Sequence, residues 1–166
     1  MTAEGITAPE GDQAPVIGWG MFEAEGFGTL WLAWTSKGLL RLAFDRLDDV
    51  GAKEAPIPAV YAEPLTRYFT GQREDFADVP LDLRGTDFQV RVWTALQDIP
   101  WGQVLTYGGV AREIHSPRAM RAVGQANHVN PVPIIVPCHR VVAANGMGQY
   151  GYGVKAKRAL LSLEGA

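Results

Sequence analysis

The chain has 166 residues, 47% of them apolar and 20% charged, which is typical of one or two folded globular domains rather than of a disordered chain. Its net charge of −3 conceals an asymmetry. Residues 1–100 carry 8 Lys/Arg against 16 Asp/Glu, whereas residues 101–166 carry 7 against 2, so the second half could meet phosphate groups. No apolar run approaches the roughly 18 residues of a membrane span, and the N-terminus lacks the pattern of a secretory signal.

The first part of the chain combines a tail with β-like patterning. Residues 1–15 carry Gly, Pro, Ala and acidic residues without periodicity, and we expect a flexible tail there. Phe27 and the run Thr29–Trp34 favour one strand, and residues 39–44 favour a second. Turn residues at 36–38 separate them, so the pattern predicts a β-hairpin.

Shorter elements are expected before the sequence changes style. They are a loop or short irregular helix at residues 45–58, a helix at Ala62–Phe69 that ends at Gly71, and a strand at Val79–Leu83. From Gly85 onward the patterning is helical, which predicts a domain boundary near residue 84. The expected organisation is a tail (1–15), an N-terminal domain (16–84) and a C-terminal domain (85–166).

The first helix of the C-terminal domain has clear boundaries. Thr86 and Gln89 match a capping box, in which each side chain satisfies the other residue's backbone amide. Pro100 would stop the helix. The apolar residues expected on one face of this helix are Phe88, Val92, Ala95 and Leu96.

Two further helices are predicted close together. Thr106 can cap a helix that contains Val110, Ala111 and Ile114. Ser116 and Pro117 match the start of a third helix, with Ser at the cap and Pro at the first helical position. Two short helices joined so closely predict a helix-turn-helix.

The third helix should present two different faces. Its core-facing residues are expected to be Ala119, Val123 and Ala126. The opposite face is small and polar, and consists of Arg118, Arg121, Ala122 and Gln125. Such a face suits close approach to a partner, and its guanidinium groups can anchor phosphates. An ordinary solvated face is the alternative interpretation.

The single cysteine, Cys138, lies in a Pro-Cys-His-Arg sequence in the basic half. A lone cysteine is usually a small buried hydrophobe, and it excludes an internal disulfide and a multi-cysteine zinc site. Here the neighbouring His139 and Arg140 are expected to lower its pKa and so favour the nucleophilic thiolate. The apolar run Pro131–Val136 before it should be buried and extended. We expect a reducing, cytoplasmic compartment.

Several segments within residues 86–165 resemble a known family. They are NPVPIIVPCHRVV at Asn130–Val142, IPWGQVLTY at Ile99–Tyr107, RAVG at Arg121–Gly124, GQY at Gly148–Tyr150 and KRALLSLE at Lys157–Glu164. This combination closely resembles the O6-alkylguanine-DNA alkyltransferases, also called methylated-DNA–protein-cysteine methyltransferases. The first 84 residues match this family in general style only.

The resemblance implies an α+β protein with two domains. The N-terminal domain would be a small ribonuclease-H-like α/β domain, and the helical C-terminal domain would carry a winged-helix-like helix-turn-helix. Cys138 would take a methyl or larger alkyl group from O6 of guanine in DNA and keep it, with one turnover per chain and no cofactor. Whether O4-alkylthymine is also repaired stays open.

The resemblance also implies roles for individual residues. His139 would act as a water-mediated base toward Cys138, Glu164 would orient His139, and Tyr107 would donate a proton to the leaving base. Lys157 would favour the thiolate. On residue type alone, an exposed helix lysine is the alternative for that position.

Asn130 and the base pocket complete the implied site. Asn130 would be a hinge between the recognition helix and the active-site segment, although an asparagine that merely ends a helix is compatible with this role. The pocket would involve Tyr150, Val141 and Pro133. Tyr152 departs from the family pattern, in which we expect a small residue, and this bears on the width of the pocket. Some relatives bind zinc through N-terminal Cys and His residues, but this chain has no second cysteine, and we predict no metal.

The implied partner is double-stranded DNA containing O6-alkylguanine, bound through the minor groove with the damaged base extruded. Arg121 would fill the vacated stack and Tyr107 would rotate the adjacent phosphate. Ala122, Arg118 and Gln125 would share the interface, mostly through phosphate contacts. A monomer without a membrane partner is expected.

Three other functions compete with this interpretation. A lesion-binding protein of the alkyltransferase-like kind would flag damage without transfer, but those relatives lack the cysteine. A helix-turn-helix transcription regulator would prefer one duplex sequence. A cysteine hydrolase would turn over many small acyl substrates and need no DNA.

Overall fold

The computed structural model describes residues 13–166, which fall into two compact units, residues 13–84 and 85–166. The tail expected at residues 1–15 lies outside the described residues except for its last three. Those three form no regular structure, and the Arg84 guanidinium donates to the Gln13 side chain and to the Ala14 carbonyl oxygen.

The first unit is built on a three-stranded antiparallel sheet in the order β1–β2–β3. The strands are β1 (Val16–Ala24), β2 (Gly28–Thr35) and β3 (Gly38–Ala43). The predicted hairpin is confirmed as β2 and β3, joined by a tight turn.

Strand β1 was not distinguished by the sequence pattern, because glycines hold two of its inward positions. Gly18 and Gly20 are both buried. A Cβ at Gly18 would lie 2.6 Å from the Trp34 ring, so the strand carries glycine where the alternating pattern would show an apolar side chain.

Helix α1 (Ala59–Phe69) covers the sheet with aromatic side chains. It confirms the helix expected at residues 62–69, but begins three residues earlier, directly after Pro58. The Phe69 ring lies 5.1 Å from that of Phe27, and the Tyr61 ring lies 6.1 Å from that of Trp34, measured between centroids. These contacts add to a core in which Leu30, Leu32 and Leu65 are fully buried.

The remainder of the first unit is irregular. Residues 45–58 are a loop, as predicted, with one bridge to β1. The strand predicted at Val79–Leu83 is wrong. Leu81 forms an isolated bridge with Leu39, and Pro80 lacks the amide proton that a longer ladder would need there.

Helix α2 (Asp87–Gln97) opens the second unit, and its capping box is confirmed. The Gln89 amide donates to Thr86 Oγ1 at 3.1 Å, and the Thr86 amide donates to Gln89 Oε1 at 3.0 Å. Trp93 is also buried on this helix, and its Nε1 donates to the Ala126 carbonyl oxygen at 2.9 Å.

The predicted helix-turn-helix is present as α3 (Tyr107–Glu113) and α4 (Met120–His128). The expected cap of α3 is confirmed, since Thr106 Oγ1 accepts from the Gly109 amide at 3.0 Å. In α4 the expected core residues Val123 and Ala126 are buried.

The predicted start of α4 at Ser116 is wrong. The Ala119 amide donates to the Ser116 carbonyl oxygen at 2.9 Å, which closes a turn around Pro117, and α4 begins at Met120. Ala119, with φ −96° and ψ 25°, interrupts the helical path between the two segments. Arg118 therefore lies in the turn before α4 rather than on the helix.

The remaining elements of the second unit are a short pair of strands and a final helix. A short parallel pair, β4 (Leu105–Thr106) and β5 (Val141–Val142), lies beside α3, and α5 (Val154–Leu163) follows. A sheet covered by a helix in one unit and a mainly helical second unit agree with the expected α+β class. Within residues 13–166, no helix is long and apolar enough to cross a membrane.

Candidate active site

A cleft of about 1250 Å³ opens in the second unit. Its walls come from α3, α4, the loop at residues 143–153 and the first residue of α5, and Cys138 also lines it. Cys138 is only 6% exposed, so its thiol lies in a recess. Because Cys138 also lines the cleft, a ligand bound there could reach the thiol.

A compact turn, rather than the expected extended segment, brings Cys138 to the cleft. The run Pro131–Val136 is almost entirely buried, as predicted, but Ile134 has φ 75° and the Val136 amide donates to the Val132 carbonyl oxygen at 2.9 Å. Asn130 holds this turn closed: its Nδ2 donates to the Val136 carbonyl oxygen at 2.8 Å, and its Oδ1 accepts from the Val132 amide at 3.0 Å.

The thiol is not activated in the way that the sequence suggested. Burial raises the pKa of Cys138 to about 11, and the opposing effects of the Asn130 side chain and the Lys157 charge do not overcome it. The net lowering of the Cys138 pKa that was expected from His139 and Arg140 is wrong, because the effect of burial is larger. Both of these side chains are bound to Glu164.

His139, Glu164 and Arg140 form a buried network next to the cysteine. His139 Nε2 lies 2.7 Å from Glu164 Oε1. Arg140 donates through Nε to Glu164 Oε2 and through a terminal nitrogen to Oε1, both at 2.9 Å, and also to the Ile99 carbonyl oxygen at 2.6 Å. Arg140 is 4% exposed and His139 is fully buried, so the three side chains hold one another in fixed positions.

The network fixes the charge of each member. Burial by itself would raise the pKa of Glu164, but hydrogen bonds from His139 and Arg140 and their charges lower it to about 2. Burial lowers the pKa of His139, and Arg140 adds to this effect, although Glu164 opposes it. The result is a carboxylate paired with a guanidinium, and an imidazole held in its neutral form.

Lys157 is fully buried, so the exposed-lysine alternative is wrong. Its Nζ donates to the carbonyl oxygens of Val141 at 2.5 Å and of Gln149 at 3.0 Å. Burial lowers the pKa of Lys157, and the Cys138 thiolate opposes that change. The ammonium group therefore joins β5 to the cleft loop and supplies positive charge near the sulfur.

Tyr107 stands in the cleft wall at the first position of α3, and its hydroxyl donates to the Gln149 carbonyl oxygen at 3.5 Å. Arg121 and Gln125, on α4, line the cleft and are exposed. Arg118 and Ala122 are exposed but do not line it. Arg121, Ala122 and Gln125 of the predicted small, polar face therefore point away from the core, whereas Arg118 lies outside the helix.

The residues expected in the base pocket divide into two groups. Tyr150 lines the cleft, whereas Pro133 and Val141 are buried and do not reach it. Tyr152 does not line the cleft either. Its ring packs edge-on against the Tyr150 ring, with 5.9 Å between centroids.

Some contacts of the site were not predicted from the sequence. The Gln149 carbonyl oxygen, which accepts from both Tyr107 and Lys157, carries no sequence signal because any residue supplies a carbonyl. Arg140 had a signal in its position beside His139, but its bond to Glu164 depends on a residue 24 positions away. Within the described residues, no group of three or more His, Cys, Asp or Glu side chains could hold a metal ion.

Fold and cleft together define a class of protein in which a helix-turn-helix unit presents a recessed cysteine thiol to a cleft. Comparison with known sequences places the chain within this class. Residues 21–83 match the family model for the 6-O-methylguanine DNA methyltransferase ribonuclease-like domain, and residues 87–166 match the model for the DNA binding domain of the same family. The chain belongs to this family, as its motifs indicated.

Individual relatives agree with the family models. The methylated-DNA–protein-cysteine methyltransferase of Methanosarcina acetivorans is 42% identical over 150 residues, which cover 84% of this chain and 93% of the relative. The enzyme of the same name from Mycobacterium tuberculosis strain H37Rv is 53% identical over 113 residues, covering 66% and 68%. The crystal structure of M. tuberculosis OGT in complex with DNA superposes with a TM-score of 0.83 at 42% identity, covering 90% of this chain and 93% of that one.

Proposed function

We propose that this chain repairs DNA by direct reversal, transferring a methyl or larger alkyl group from O6 of guanine to Cys138. The observation that carries this proposal is the position of Cys138, recessed in a cleft beside the exposed face of α4 and backed by the His139–Glu164 pair. The Cys138 sulfur forms a bond to the alkyl carbon as the bond from that carbon to O6 breaks. The electron pair of that bond leaves with the guanine. The thioether is stable, so each chain reacts once.

The proton of the thiol must leave before or during the attack, because the thiol pKa lies well above neutral pH. Neutral His139 is the base that accepts it, with a water molecule bridging the two side chains. Its Nε2 faces Glu164, so the proton route leads to Nδ1. Asn130 and Lys157 stabilise the thiolate that forms.

The leaving base needs a proton, and Tyr107 is the donor. Its hydroxyl lies in the cleft wall, where its hydrogen bond to the Gln149 carbonyl oxygen is long at 3.5 Å and is exchanged for one to a ring nitrogen of the base. Protonation avoids expelling a guanine anion. Tyr150, in the same wall, contacts the base.

The target atom of guanine lies inside the duplex, so the base must be extruded into the cleft. Arg121, exposed on α4 at the edge of the cleft, occupies the vacated stack. Ala122 allows close approach in the minor groove, while Arg118 and Gln125 contact the backbone. The crystal structure of M. tuberculosis OGT in complex with DNA supports DNA as the partner.

The residues proposed for alkyl transfer and for DNA contact all belong to one of the two units. Every residue proposed for transfer or DNA contact lies within residues 85–166, which we assign as the alkyl-acceptor and DNA-binding domain, whereas residues 16–84 form the ribonuclease-like domain. A cytoplasmic location suits the chemistry, since a reducing compartment keeps the single thiol of Cys138 available.

The test is transfer of a labelled methyl group from O6-methylguanine in duplex DNA. One label per chain, found on Cys138, is the expected result, and Cys138→Ala should accept none while keeping the wild-type circular dichroism spectrum. Absence of label on wild-type Cys138 would refute the proposal. Many turnovers of a small acyl substrate would instead indicate a hydrolase, and binding without transfer would indicate a lesion-binding protein.

A second variant tests the role of α4. Arg121→Ala should slow transfer from duplex DNA at least tenfold and leave transfer from the free O6-methylguanine base unchanged. The matched control is Arg73→Ala, which removes the same charge from an exposed position in the other unit and should behave as wild type. Equal slowing on both substrates would contradict a role in extrusion.

A further inference from the structure

Asn127, in the last turn of α4, carries a buried amide that the fold itself does not use. The residue lines the cleft. Both its Nδ2 and its Oδ1 are shielded from solvent, and neither has a hydrogen-bond partner among the described residues. Asn130, three positions later, provides a contrast, because both of its amide atoms bond to the active-site turn.

A buried amide without partners is unfavourable, and native proteins hold few of them. An apolar side chain of similar size at this position would avoid the cost. The cost is recovered if a ligand that enters the cleft brings the missing partners with it. Cys138, Tyr107 and Tyr150 line the same cleft, so that ligand is the base from which the alkyl group is transferred.

The chemistry of an O6-alkylated guanine fits such an amide. Its 2-amino group is a hydrogen-bond donor, and alkylation leaves both ring nitrogens beside that group as acceptors. The asparagine amide offers the complementary pair, an acceptor oxygen next to a donor nitrogen. An O6-alkylated purine without the 2-amino group, or O4-alkylthymine, lacks the donor of this pair.

We propose that Asn127 reads the extruded base, accepting from the 2-amino group and donating to the adjacent ring nitrogen. Asn127 is thereby a specificity residue that favours O6-alkylguanine over alkylated bases without the amino group. This inference rests on the proposed function, since it assigns the residue to the same cleft and the same reaction.

The experiment measures single-turnover methyl transfer from one duplex that contains either O6-methylguanine or O6-methylhypoxanthine, which differs only in lacking the 2-amino group. Wild-type protein should react at least tenfold faster with O6-methylguanine. Asn127→Leu should lose about tenfold with O6-methylguanine and less than twofold with O6-methylhypoxanthine. Asn127→Asp, which keeps an acceptor, should retain part of the preference.

Two controls separate recognition from folding. Gln97→Leu makes the same amide-to-leucine change at an exposed position of α2 and should match wild type on both substrates. The melting temperature of Asn127→Leu without DNA should equal or exceed that of wild type, because the substitution removes an unsatisfied buried amide. A lower melting temperature would indicate a structural role instead.

The remaining outcomes are also decisive. If Asn127→Leu slows both substrates equally, or neither, the inference is overturned. If the wild-type protein transfers no methyl group at all, the proposed function fails. If the wild-type protein reacts equally fast with both substrates, the proposed function stands and the inference about Asn127 is overturned.

Discussion

Replacing Arg140 with methionine should destabilise the second unit by about 3 kcal/mol, because it leaves a buried carboxylate without its counter-charge. Arg140 is 4% exposed and donates to both Glu164 oxygens at 2.9 Å and to the Ile99 carbonyl oxygen. Methionine fills much of the space but donates nothing. The free energy of unfolding, measured by urea titration at pH 7 with circular dichroism detection, gives the loss directly.

The same variant has a distinctive pH dependence. In the wild type, the pKa of Glu164 is lowered to about 2, so its stabilising contribution is complete above the unfolded-state pKa and is lost as pH falls toward 2. Without Arg140, burial should raise the pKa of Glu164 above its unfolded value, and the penalty should then fade as acid protonates the buried carboxyl group. The stability difference between wild type and Arg140→Met should therefore shrink between pH 7 and pH 4.

Two comparisons show whether the orphaned charge is the cause. Arg140→Met combined with Glu164→Gln should recover much of the lost stability, since no buried carboxylate remains. Arg91→Met removes an exposed arginine that, among the described residues, donates to the Ile114 carbonyl oxygen and the Ser116 hydroxyl and lies over the Phe88 ring, and it should cost about 1 kcal/mol or less. A cost for Arg140→Met no larger than that of Arg91→Met would refute the reasoning.

Three further predictions follow from single contacts. Lys157→Met should raise the pKa of Cys138 further and slow methyl transfer at pH 7.5, with the difference from wild type narrowing as pH rises; a pH-independent ratio would contradict the electrostatic role. Thr106→Ala should cost about 1 kcal/mol of unfolding free energy through loss of the α3 cap, whereas Thr94→Ala, at an exposed mid-helix position, should cost under about 0.5 kcal/mol. Gly38→Ala should destabilise the first unit by more than about 2 kcal/mol in urea titration, because its Cβ would lie 2.5 Å from the Pro80 backbone, and an unchanged midpoint would contradict that clash.

Local signals in the sequence were sufficient for several elements. The capping box at Thr86 and the cap at Thr106 need only residues three positions apart, and both are present. The predicted start of α4 also rested on a local pattern, but it was wrong. Ser116 and Pro117 suit a turn as well as they suit the start of a helix. The sequence does not show which of the two the rest of the fold selects.

The active site likewise combines features that the sequence predicted with features that it did not predict. The motif around Cys138 indicated the chemistry, and the exposed face of α4 followed from helical spacing. The protonation state of the thiol could not be predicted from the sequence. The adjacent His139 and Arg140 suggested a lowered thiol pKa, whereas burial raises the pKa of Cys138. Burial has a larger effect on the thiol than the charges near it, and the side chains of His139 and Arg140 are bound to Glu164.

Residue order by itself determined the hairpin, the caps of α2 and α3, the helix-turn-helix and the choice of Cys138 as the proposed reacting residue, because each of these depends on contacts across a few positions or on a motif read directly. Only the tertiary structure decided that Lys157 is buried, that Pro133 and Val141 do not line the cleft, and that the Asn127 amide has no hydrogen-bond partner among the described residues. Burial and long-range hydrogen bonds set these properties, and both arise only when segments distant in the chain pack together.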